Sequence, residues 1–157
     1  MTTLLLAAAC SASAWALTVD NLRVESLRNP SGIDVLEPHF TWRLLSEERN
    51  VVQTSYRLVI TTDAAGADAV YDSGVVESSA SVSVPAKGAS LQPATRYYWR
   101  VTVGDNKGNM ATSSETACFE TGLLSLGWSN AKWIKYSEPA PDQATATITD
   151  SSPRVLR

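Results

Sequence analysis

The 157-residue sequence holds two cysteines and one histidine, too few for a disulfide framework or a Cys/His metal cage. The lone His39 follows Pro38 without cysteine or carboxylate spacing around it, so no metal site is expected. Glycine is equally sparing: no glycine-rich phosphate loop opens a helix and no GxSxG elbow occurs, so neither a cofactor nor a serine hydrolase site is expected. Thirteen Lys and Arg against sixteen Asp and Glu give a net charge of -3. Without a basic cluster this is no nucleic-acid footprint. The one dense charge run, Glu47, Glu48 and Arg49, has mixed signs and reads as a solvated loop.

What is present begins with a leader. "MTTLLLAAACSASAWA" carries a short apolar stretch, Leu4 to Ala9, then small residues ending in "AWA". This predicts a secretory signal over residues 1–16 with cleavage after Ala16, although no Lys or Arg stands near Met1. The mature chain is then secreted, extracellular or periplasmic, with no membrane attachment. A lipid anchor on Cys10 would want a larger aliphatic residue than Ala7 three positions before it. Removal of the leader leaves Cys118 alone, and the domain must be held by packing without a disulfide. Its setting, "ACFET", predicts a buried strand thiol.

Residues 17–122 read as short strands between turn signals, with no amphipathic helix, which is an all-β pattern. The expected strands are Val19–Ser26, His39–Leu45, Gln53–Thr62, Ala69–Gly74, Ser81–Val84, Arg96–Gly104 and Ala117–Gly122. Alternation puts Phe40, Trp42 and Leu44 on one face, and likewise Tyr56, Leu58 and Ile60, and Val82 and Val84. "NPSG", "PAKG" and "DNKG" supply turns. In "LQPATRYYWRVTV", Leu91–Val103, the residues Tyr97, Trp99, Val101 and Val103 form the core stripe. Tyr97, at the strand start after a proline turn, is placed to turn its hydroxyl back onto the preceding corner. Tyr98 and Arg100 are left on the outer face as the candidates for binding. A buried Trp42 with this tyrosine corner predicts a fibronectin type III or immunoglobulin-like β-sandwich of about seven strands.

The ordered set "NPSGID", "PHFTWRL", "ERNVVQTSYRLVI", "YDSGVV", "TRYYWRVTV", "FETGLL" and "WSNAKWI" resembles the N-terminal sandwich of bacterial and fungal α-L-rhamnosidases. In that family the sandwich precedes a further β-domain, an (α/α)₆ barrel that removes terminal L-rhamnose with inversion, and a C-terminal β-domain. The resemblance implies that acid and base reside in the barrel, which is not part of this sequence. It makes the chain a fragment, whose closing "SSPRVLR" looks like the first strand of the next β-domain. Residues 123–157 are accordingly a linker and the start of that domain, and "KYSEPAPDQATATITDSSP" has linker composition.

Asp34, Glu37, Asp72, Glu77, Asp105 and Glu120 fall mostly at turns or strand ends, where carboxylates serve backbone or solvent, so no catalytic residue is assigned. Trp128 and Trp133 follow the last strand. They suit packing against a neighbouring domain, or stacking on a sugar. The expected function is a non-catalytic accessory domain of a secreted α-L-rhamnosidase, with the adjacent domains of that enzyme as partners and weak carbohydrate binding as an additional capacity. The alternative is a free-standing secreted module that binds carbohydrate or protein through Tyr98, Arg100 or the two tryptophans.

Overall fold

The computed structural model describes residues 17–127, 131 and 132. The predicted leader, Trp128, Trp133, the linker-like tail and "SSPRVLR" lie outside the described residues. Among the described residues nine strands are formed: β1 (Thr18–Val24), β2 (His39–Leu45), β3 (Gln53–Thr61), β4 (Ala69–Asp72), β5 (Val76–Glu77), β6 (Val84–Pro85), β7 (Arg96–Asp105), β8 (Met110–Thr112) and β9 (Ala117–Glu120). A short 3₁₀ turn, Leu124–Leu126, follows. The predicted all-β sandwich is therefore observed, with the bounds of β2 as expected and those of β3 and β7 within one residue.

One sheet has the order β1-β2-β6, and the other is built on the central pair β3-β7. On the free side of β3, β4 pairs with Val59–Thr61 and β5 with Ser55–Tyr56. On the free side of β7, β9 pairs with Arg96–Trp99 and β8 with Thr102–Gly104. Each edge position is thus shared by two short strands, and nine strands fill seven places. Ser73 and Gly74 make the first interruption: Asp72 Oδ1 accepts the Gly74 N–H at 2.9 Å and Ser73 Oγ accepts the Leu58 N–H at 2.9 Å. β5 and β8 were not expected from sequence.

The apolar faces close on each other as alternation requires. Phe40 and Trp42 from β2, Leu58 and Ile60 from β3, and Tyr97, Trp99, Val101 and Val103 from β7 are buried. Phe40 joins the sheets: its ring meets Trp99 edge-on at 4.7 Å and Phe119 at 5.9 Å. Such edge-to-face contacts add about 0.5–1.5 kcal/mol each to the burial of the rings. Tyr56 and Leu44, assigned to the core stripe, are only half-buried at its margin, where Tyr56 tilts against Trp42. The tyrosine corner forms as predicted, Tyr97 Oη accepting the Gln92 N–H at 2.7 Å.

Three sequence expectations are corrected. The predicted strand Ser81–Val84 survives only as Val84–Pro85, and Val82 is 71% exposed. Ser83 has φ of 54°, a left-handed conformation that breaks the alternation and turns Val82 outward while Val84 stays in. Cys118 is half-exposed, not buried, because Ala117 and Phe119 take the inward positions of β9 and leave it on the outer face. The mixed-charge loop is also not wholly solvated: Glu48 pairs with Lys107, tying the β2–β3 loop to the β7–β8 turn.

A buried amide links the sheets. Gln53 on β3 accepts the indole N–H of Trp42 at 2.9 Å and donates to the carbonyls of Ser78 at 3.0 Å and Ala80 at 2.7 Å. This anchors the connection leading to β6. By contrast, the indole N–H of buried Trp99 has no partner among the described residues.

Candidate functional site

The outer face of the larger sheet carries the two residues singled out for binding. Register places Tyr98 beside Thr61 and Cys118, and Arg100 beside Val59. On the same face Thr102 and Thr112 share a hydroxyl hydrogen bond at 2.9 Å, and Arg96 pairs with Glu120 at 2.6 Å. Arg57 binds the Asp72 carboxylate through Nε and Nη2, at 2.9 and 2.5 Å, and this pairing holds the carboxyl below the usual carboxylate range. Between these side chains lies a shallow depression of about 270 Å³ lined by Arg57, Val59, Thr61, Gly66, Arg100, Thr102 and Thr112. Tyr98 is outside it, so the structure does not gather Tyr98 and Arg100 into one aromatic platform.

The carboxylates serve the scaffold. The Asp105 side chain closes the β7–β8 turn, accepting the Lys107 and Asn109 N–H groups at 2.8 Å each and the Asn109 side-chain amide at 2.9 Å. Burial pushes its pKa up, but these donors outweigh it and the net shift is downward. Asp63 accepts three backbone N–H groups, from Gly66, Ala67 and Asp68, and is lowered chiefly by the Asp68 bond. Asp20 is lowered by the Arg43 guanidinium that it binds. Glu37 accepts the Gly88 N–H at 3.1 Å, while Glu77 stands exposed on β5. His39 Nδ1 lies 3.2 Å from Glu25 Oε1, which also accepts the His39 N–H. Among the described residues, no three His, Cys, Asp or Glu side chains converge to hold a cation.

The "NPSGID" segment has a role that strand patterning does not reveal: it covers the edge of β9. Asn29 Oδ1 accepts the Cys118 N–H at 3.0 Å, the Glu120 N–H reaches Pro30 O at 2.9 Å, and the Ile33 N–H reaches Glu120 O at 2.9 Å. Asp34 Oδ1 then accepts the Leu124 N–H at 2.9 Å. A Cβ on Gly122 would stand 2.3 Å from that Asp34 oxygen, so a side chain there would displace the Asp34 carboxylate from the Leu124 N–H. Leu124 itself has φ of 48°, and the Asp34 bond holds this left-handed residue in place. Exposed Val35, Leu36 and Leu126 flank this clamp in sequence.

Comparison with known proteins agrees with this architecture. Residues 19–125 match the family described as "Rha78A-like, N-terminal immunoglobulin domain". An α-L-rhamnosidase of Streptomyces avermitilis is 37% identical over 139 residues, which are 87% of this chain and 13% of that protein. One from Formosa agariphila is 36% identical over 75% of this chain and 13% of its own length. Among solved structures, the Streptomyces avermitilis α-L-rhamnosidase complexed with L-rhamnose superposes with a TM-score of 0.66 at 38% identity, covering 69% of this chain and 11% of that one. The α-L-rhamnosidase of Dictyoglumus thermophilum gives 0.68 at 34% identity, over 77% and 14% respectively. The chain thus spans about an eighth of the length of these relatives, and by sequence and by fold it belongs to the family of Rha78A-like N-terminal immunoglobulin domains.

Proposed function

We propose that this domain is the non-catalytic N-terminal accessory module of an exported α-L-rhamnosidase, an enzyme that removes terminal α-L-rhamnose from glycosides or polysaccharides. The observation that carries this reading is the confinement of similarity to the N-terminal immunoglobulin domain of enzymes roughly six to seven times the length of this chain. The local chemistry supports it. Inverting glycoside hydrolysis requires a raised-pKa acid facing a base across a water, with the carboxyls about 6.5–9.5 Å apart. Here Asp20, Asp63, Asp72 and Asp105 are all shifted downward by fixed donors, which suits structural anions and not a general acid. Export is supported by the apolar, small-residue leader of residues 1–16.

The discriminating experiment is to sequence the coding region downstream of the Arg157 codon from genomic DNA. An uninterrupted frame encoding a further β-domain and a helical barrel rich in acidic residues supports the accessory role. A verified stop codon directly after Arg157 sinks it in favour of a free-standing module.

A further inference from the structure

Arg28, Arg43, Arg57 and Arg96 each lie against a carboxylate. Arg100, like Arg23 beside Asn21 and Ser26, is held by neutral acceptors instead. Its Nε donates to Thr116 Oγ1 at 3.0 Å and its Nη2 to the Ala64 carbonyl at 2.6 Å, both neutral acceptors. The loop that supplies Ala64 is itself fixed by the Asp63 carboxylate through the N–H groups of Gly66, Ala67 and Asp68. Gly66, at φ of 84°, lets this loop close over the guanidinium: Nη1 lies 3.3 Å from where a Cβ would stand. The cation is therefore anchored through two of its donors, has no ion-pair partner among the described residues, and is set at the rim of the 270 Å³ depression.

The rest of the depression limits what it accepts. Val59 gives an apolar floor beside Arg100, and the Thr102–Thr112 hydroxyl pair gives a polar wall. The volume is just below the usual range of about 300–1,000 Å³ for small-molecule sites, the scale of one small ring. Arg57 brings its stem to the lining but its charge is neutralised by Asp72. A guanidinium with free N–H groups matches a planar carboxylate. A purely neutral sugar would be better served by an aromatic platform, and Tyr98 is outside the lining.

We propose that this depression binds a monoanionic sugar residue, a uronate, with its carboxylate on Arg100, its C–H face on Val59 and ring hydroxyls at Thr102 and Thr112. This goes beyond the accessory role and does not depend on it, since it concerns a surface complete within the sandwich. Openness to solvent keeps the affinity in the millimolar range. On a larger glycosidase such a subsite would hold the enzyme against acidic glycans.

The test is a titration of the ¹⁵N-labelled chain with sodium D-glucuronate, followed by amide shifts. Sodium acetate and methyl α-L-rhamnoside at matched ionic strength are the comparisons. Saturable shifts at Thr61, Gly66, Arg100, Thr102 and Thr112 are expected with glucuronate, and much weaker ones with either comparison ligand. Arg100→Gln should weaken binding about tenfold or more, the loss of one charge-assisted contact. Because that change also releases the 63–67 loop, Thr112→Val provides a second variant that leaves both Arg100 anchors intact, with an expected weakening of about threefold. The proposal is overturned if shifts are absent or scattered, if both variants bind as the parent does, or if acetate or the neutral rhamnoside binds as well as glucuronate.

Discussion

Replacing Gln53 by alanine perturbs a side chain that ties both sheets and the β5–β6 connection together. The substitution strands the indole N–H of Trp42, a residue only 2% exposed, and a buried donor left without a partner costs about 1–3 kcal/mol. The lost bonds to the Ser78 and Ala80 carbonyls cost less, about 0.5–1 kcal/mol each, because Ser78 is half-buried and Ala80 exposed, so water can replace the amide. Together the loss comes to about 2–5 kcal/mol, out of roughly 5–15 kcal/mol for a whole domain. Urea unfolding followed by tryptophan fluorescence measures it directly. Pairing Gln53→Ala with Trp42→Phe in a double-mutant cycle isolates the indole–amide term, which should appear as a coupling of about 1 kcal/mol or more. A Gln53→Ala protein within 0.5 kcal/mol of the parent, or a cycle without coupling, would refute the idea that this amide joins the sheets.

Other perturbations have equally definite signs. Trp99→Phe removes the orphaned indole donor, so its destabilisation should fall well short of the roughly 3–5 kcal/mol of a large-to-small aromatic truncation, as read by chemical denaturation. Tyr97→Phe keeps the ring and deletes the corner bond to Gln92, costing about 0.5–1.5 kcal/mol in the same assay. Asp20, Asp63, Asp72 and Asp105 all have lowered folded-state pKa values. Their contribution is complete above the unfolded carboxylate value of about 3.9 and is lost as pH falls through the lower folded values. Melting temperature should therefore hold from neutral pH to about 5 and decline below about 4; a rise below pH 4 would contradict these assignments.

Long alternating runs made most of the fold legible. β2, β3 and β7 are seven to ten residues long, and their inward sets, Phe40 and Trp42, Leu58 and Ile60, and Tyr97 to Val103, could be read by parity alone. β5 and β8, at two and three residues, have no period to detect and exist only because β3 and β7 offer them an edge. Val82 was misread because a left-handed Ser83 reverses parity without any glycine or proline to announce it. Cys118 was misread although Phe119 beside it already fixed the inward position. Arg100 was assigned to the outer face correctly. Its anchors, Ala64 and Thr116, lie 36 and 16 residues away, and no local pattern records them. The same is true of Gln53, whose polarity at a strand start suggested nothing of a buried hub, and of Asp34, which read as a turn carboxylate before its bond to Leu124 was known.

Release of the aryl group from an aryl α-L-rhamnoside by the purified chain is the most direct measurement. The rate should equal that of buffer, because Asp20, Asp63, Asp72 and Asp105 are held as lowered-pKa structural anions by fixed donors, which does not suit a general acid. Turnover above buffer that disappears in Asp72→Asn or Glu77→Gln would contradict the accessory role and place catalysis in this domain.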